Sequence, residues 1–198
     1  AAFAGAGKWL EGAAIDRHVH AQTIDRDAPQ VPGADDRLLL RRASRELAAI
    51  GAPFLGVVHL ASTHHPYVID PARTPFLPMS KLSSAQSAAG LHNRYRNSVA
   101  MQDHAIASFI EAFRRTELGQ RTVIVFVSDH GESFFEHGAG LHGSTMFEEE
   151  LHIPAWIDAP SGLLRDEERA ALEAVRDAPT MNVDLLPTVL ELLGLWRD

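Results

Sequence analysis

The residues most able to do chemistry in this sequence are imidazoles and carboxylates placed just after apolar runs. Asp129-His130 follows the β-branched run Thr122-Val123-Ile124-Val125-Phe126-Val127 after Ser128 and is followed by Gly131 and Glu132. A carboxylate and an imidazole at a strand's carboxyl end can share one metal ion, while glycine lets the backbone turn away. The plain alternative is an Asx-type turn with a solvent-facing histidine. Two more imidazoles stand in comparable places. His64 lies just past the run Pro53 to Leu60, in the cluster Ser62-Thr63-His64-His65-Pro66, and His142 sits in Gly140-Leu141-His142-Gly143. Three separate segments could therefore bring histidine to one edge of a sheet, where ligands of α/β proteins collect. The chain holds 11 His, so some fall near strand ends by chance, and His65, His137 and His152 are read as ordinary hydrogen-bonded residues. Glu132 and the run Glu148-Glu149-Glu150 could accept hydrogen bonds behind the imidazoles, although a solvated face is the default for such a run.

The elements that must position these residues follow from periodicity and punctuation. Asp35 or Asp36 caps a helix through Leu38, Leu39, Leu40, Leu47 and Ile50, with Gly51 as its stop. Residues 53–60 read as a short buried strand. Residues 68–89, rich in Pro, Ser and Ala, read as a long surface loop, and a helix from about Leu91 to Arg115 carries Val99, Ile106, Phe109, Ile110 and Phe113 on one face. The apolar run 122–127 is expected to be a central parallel strand covered on both faces. Residues 153–157 read as a further strand, with helices near 165–175 and 183–193. Strands separated by helices argue for a three-layer α/β/α sandwich with a largely parallel sheet. Residues 1–34 show no sustained period and read as an irregular N-terminal segment before the domain at 35–198.

Composition narrows the function classes. At 198 residues the chain is about one domain. Its 18 basic and 26 acidic side chains leave a net charge of −8, which disfavours nucleic acid and anionic membrane surfaces. With no Cys there is no disulfide, thiolate zinc site or cysteine nucleophile within the chain. No apolar run approaches the roughly 20 residues of a spanning helix, so this segment is expected to make no membrane contact.

Several motifs, in order, carry a resemblance. Thr63-His64-His65-Pro66-Tyr67, Ser128-Asp129-His130-Gly131-Glu132, Glu136-His137-Gly138, the run from His142 through Glu149, and the run from Val183 through Gly194 occur in the order found in bacterial members of the sulfatase family. That family belongs to the alkaline phosphatase superfamily, which also includes the phosphoethanolamine and phosphoglycerol transferases of envelope polymers. The resemblance covers about Asp35 to Gly194 and implies an alkaline-phosphatase-like fold. It implies that Asp129 and His130 are ligands of a catalytic divalent metal. It implies that His64 and His142 are catalytic, contacting the sulfuryl or phosphoryl oxygens or the leaving group. Many sulfatases have Lys at the place of His142 and Asp-Asn at the place of Asp129-His130. The Asp-Asn form favours calcium, whereas Asp-His suits manganese or zinc, so metal and sulfate against phosphate stay open.

Relatives of this type carry further acidic ligands and the nucleophile, a formylglycine or a Thr, in an N-terminal half that precedes everything matched here. The resemblance therefore implies the C-terminal portion of a metal-dependent hydrolase of sulfate esters, inactive alone and partnered by that N-terminal half. It also implies a protein acting outside the cytoplasm, anchored through an N-terminal region. The alternatives are a phosphoethanolamine or phosphoglycerol transferase, and a non-catalytic sulfatase-like binding domain.

Overall fold

A computed structural model describes residues 15–196 and shows an α/β architecture. A single helical turn, α1 (Ala21–Ile24), precedes α2 (Asp36–Ala49). The Asp35 side chain accepts from the Arg37 amide at 2.8 Å, the N-cap expected from sequence. The long helix α3 (Ala88–Arg114) packs along α2 and buries Leu91, Asn97, Ser98, Met101 and Phe113. Before it, the loop 68–84 is held to the helix rather than left free. Asn97 accepts from the Phe76 amide at 3.1 Å and donates to the Phe76 carbonyl at 2.8 Å.

After α3, a Cβ on Gly119 would stand 1.9 Å from the Phe113 carbonyl, so only glycine fits where the chain turns back under the helix end. Arg114 then reaches across to Asp158 at 2.7 Å and to the Thr122 carbonyl at 2.7 Å, tying the helix to the strands that follow. Strand β1 (Ile124–Val127) leads to a two-residue hairpin, β2 (Ser133–Phe134) with β3 (Gly140–Leu141). A helical turn α4 (Glu148–Leu151), strand β4 (Ala155–Asp158), α5 (Asp166–Val175) and α6 (Leu185–Leu192) complete the order. A small aromatic core of Tyr67, Leu91 and Phe134, flanked by Tyr95 and Leu141, joins the loop after residue 60, α3 and the hairpin.

The sheet departs from the expected layering. Strand β1 pairs with β4 antiparallel, Val125 opposite Ile157 and Phe126 opposite Trp156, whose rings stack with centroids 5.1 Å apart. Among the described residues both sheets are two-stranded and antiparallel, so β1 has one neighbour and is half-buried rather than central and parallel. Residues 53–60, expected as a buried strand, form none: they pair with no strand among the described residues, and Leu55 and Val57 stand 76% and 86% exposed. A strand is stabilised by its ladder and by burial of alternate side chains, and this segment has neither here.

Candidate functional site

The site is assembled from three turns. The first follows β1. The Ser128 amide donates to the Pro154 carbonyl at 3.2 Å, and the Gly131 amide donates to the Glu150 carbonyl at 2.7 Å. A Cβ on Gly131 would lie 2.2 Å from the Glu149 carbonyl, so glycine lets the turn press against α4. Asn182, which sequence reasoning did not single out, donates to the Asp129 carbonyl at 3.1 Å. Within this turn His130 Nδ1 lies 2.7 Å from the Gly131 carbonyl. A carbonyl only accepts, so Nδ1 carries a proton, and in the neutral ring Nε2 keeps its lone pair, the tautomer that metal-binding histidines take. Nε2 is 3.6 Å from Asp129 Oδ2, and the Asp129 side chain is 80% exposed.

The second turn carries His64. Its foundation is Asp36, 1% exposed at the start of α2, whose carboxylate accepts from the amides of Ala61 and Ser62 at 3.0 and 2.9 Å and from Gln102 at 2.6 Å. Ser98 of α3 adds a bond to the Ser62 carbonyl at 2.8 Å. The chain thus leaves residue 60 from a fixed point. His64 Nδ1 lies 2.8 Å from the His65 carbonyl, which fixes that nitrogen as the protonated one in the same way.

The third turn, after β3, carries His142. Glu150, buried on α4, accepts from the Gly143 amide at 2.8 Å and from the Thr145 hydroxyl; the Thr145 bond holds its carboxyl below the usual carboxylate range. His142 Nδ1 lies 3.0 Å from Glu132 Oε1, and the second Glu132 oxygen accepts from the Tyr67 hydroxyl at 2.9 Å. Burial first, then the charge and hydrogen bond of Glu132, push the Tyr67 phenol well above its ordinary range; Tyr95 rises for burial and the same charge.

These turns bring the imidazoles together. His130 and His142 stack with ring centroids 3.9 Å apart, and His64 meets His142 edge-on at 5.4 Å. A cleft of about 200 Å³ opens beside them, walled by His59, Thr63, His64, Ser128, Asp129 and His130. Gln30 to Pro32 also line it, which places part of the segment read as irregular against the site. His142 is not among the residues that line it, and it touches the cleft through its ring contacts to His130 and His64. His137, read as an ordinary histidine, bonds Glu149 at 2.7 Å and stacks on Phe147 at 3.7 Å, and that bond holds the Glu149 carboxyl low.

Asp129 and His130 offer one oxygen and one nitrogen, 3.6 Å apart, a spacing that two ligands of a common ion would have. The pair fits only part of a coordination shell: among the described residues no group of three or more His, Cys, Asp or Glu is arranged to hold a metal. No helix of the described residues is long and apolar enough to cross a membrane.

Comparison with known proteins adds an independent finding. The family model described as Sulfatase matches residues 4–195. The chain is 31% identical over 93 residues to arylsulfatase K of Gallus gallus, covering 47% of the chain and 16% of that protein. It is 30% identical over 101 residues to an endo-4-O-sulfatase of Bacteroides thetaiotaomicron, covering 51% and 18%. It is 24% identical over 172 residues to the lipoteichoic acid synthase-like protein YvgJ of Bacillus subtilis, covering 82% and 26%. The chain thus spans no more than about a quarter of the length of these relatives. No solved structure matches.

Proposed function

Because this chain belongs to the sulfatase family, we propose that it supplies the C-terminal part of the active site of a divalent-metal-dependent enzyme that hydrolyses sulfate esters. The observation that carries the reading is the meeting of His64, His130 and His142, from three separate turns, beside Asp129. Asp129 and His130 would hold the metal, which when bound supplies positive charge to the oxygens of the transferring group. His64 and His142 stabilise developing negative charge on those oxygens or protonate the leaving alkoxide, roles worth roughly 10²–10⁴ in rate. The donor set, one carboxylate and one imidazole, suits manganese or zinc better than an all-oxygen calcium cage.

The nucleophile and remaining ligands belong, in this reading, to sequence outside these 198 residues. The same sequence would pair with β1's second edge and with residues 53–60, giving the largely parallel sheet of an alkaline-phosphatase-like sandwich. An extracytoplasmic protein anchored by a region outside this chain fits the same reading.

A second reading, transfer of a phosphate-linked head group, draws on the relative whose match covers the greatest share of the chain among the three compared, a lipoteichoic acid synthase-like protein. The test is an assay of the full-length protein on an aryl sulfate and on a phospholipid head-group donor. Turnover of the sulfate, lost on Asp129→Ala, supports the first reading; turnover of the donor alone supports the second. Turnover of neither with metal bound contradicts both and leaves the non-catalytic alternative.

A further inference from the structure

Glu132 is a buried carboxylate that faces an imidazole. It is 8% exposed, and its hydrogen bonds run to two side chains from two different turns, the Tyr67 hydroxyl at 2.9 Å and His142 Nδ1 at 3.0 Å. Asp36 provides the contrast. Its carboxylate, also buried, takes two backbone amides and so serves the fold directly. Burying a carboxylate costs free energy that an apolar side chain of the same size avoids. At Glu132 that cost secures only the orientation of a phenol and an imidazole, and that imidazole is the one lying against both His130 and His64.

We propose that Glu132 is a positioning residue: it fixes His142 in the Nδ1–H tautomer, leaves Nε2 as the nitrogen free for chemistry, and through Tyr67 locks the His142 turn to the His64 turn. The tautomer of the neutral ring follows from the acceptor-only character of an ionised carboxylate. The linkage follows from chain positions. Tyr67 lies three residues after His64, fully buried, with a left-handed backbone at φ 59°, so its hydroxyl reaches Glu132 from the same turn that presents His64. Pulling on Glu132 would therefore move both histidines relative to each other. The catalytic consequence rests on the reading of His64 and His142 given above; the tautomer and the linkage do not.

Two measurements separate these parts. In the first, the histidine nitrogens of the 198-residue chain are assigned by long-range proton–nitrogen NMR. The expected result is Nδ1–H at His142 in the unaltered chain, unchanged in Tyr67→Phe. In Glu132→Gln, whose amide nitrogen can donate to the ring, Nε2–H appears. Nε2–H at His142 in the unaltered chain overturns the proposal, whether or not Glu132→Gln folds. In the second, Glu132→Gln in the full-length enzyme lowers kcat on the order of 10–100-fold, the range for residues that orient a functional imidazole, with KM and bound metal unchanged. Full kcat in that variant overturns the positioning role while leaving the proposed function intact. Inactivity of the unaltered enzyme on every substrate overturns the proposed function while leaving the NMR result to decide the tautomer.

Discussion

The imidazoles of His130 and His142 stack 3.9 Å apart, 29° from parallel, yet each commits its Nδ1 to a different partner, the Gly131 carbonyl for His130 and the Glu132 carboxylate for His142. Both therefore keep Nε2 available. The first presents that nitrogen 3.6 Å from the Asp129 carboxylate, as a metal ligand would. The second stands edge-on to His64. Under the proposed function the two adjacent rings would take separable tasks.

The 198-residue chain alone should turn over neither aryl sulfates nor phosphate esters measurably with manganese, zinc or calcium. Asp129 and His130 leave most of a coordination shell to water, so little chelate gain offsets dehydration of the ion. Metal-dependent multiple turnover by the pure chain, abolished by Asp129→Ala, would contradict this.

Gly131→Ala should destabilise the chain by roughly 1–3 kcal/mol, the usual cost of forcing extra volume into a packed site. The added Cβ would stand 2.2 Å from the Glu149 carbonyl, which is backbone and cannot swing aside. Denaturant midpoints of the two proteins decide it, and a change within about 0.5 kcal/mol would show that the turn after β1 yields more readily than its packing implies.

The helices, the strand ends and the chemistry-bearing residues were legible in the sequence because their signals are local. The Asp35 cap and the stripe along the long helix located α2 and α3 to within a few residues. The strand read at 122–127 forms at 124–127, and the one read at 153–157 forms at 155–158, beginning after Pro154. Pairing was not legible. An apolar run such as 122–127 reports burial on both faces, but which strand lies beside it depends on residues far along the chain, and β4 joins it antiparallel. Residues 53–60 have a strand's composition without a strand's partner among the described residues. At the site, His64, Asp129, His130 and His142 stood out by type and position, whereas Tyr67, Asn182 and Gln30 to Pro32 reach it through tertiary contacts alone.

Alkaline titration should leave both tyrosines of the chain protonated through about pH 10, their ordinary midpoint. Burial and the Glu132 charge raise Tyr67 and Tyr95 in the folded state. A raised folded value means that their contribution to stability is complete below the unfolded value and is lost as pH rises above it. Phenolate absorbance should therefore stay flat near pH 10 and rise together with loss of secondary structure. A phenolate signal with a midpoint at pH 10 in the folded chain would place one of these phenols in water.

Bound metal and steady-state turnover, measured on the same samples of full-length His130→Ala and His142→Ala, test the division of labour between the two rings most directly. His130→Ala should lower metal occupancy and activity together. His142→Ala should keep its metal and lose about 2.7–4 kcal/mol of transition-state stabilisation, the scale of a donor to a developing oxyanion. Equal loss of metal in both variants, or full activity of His142→Ala at saturating metal, would contradict the assignment.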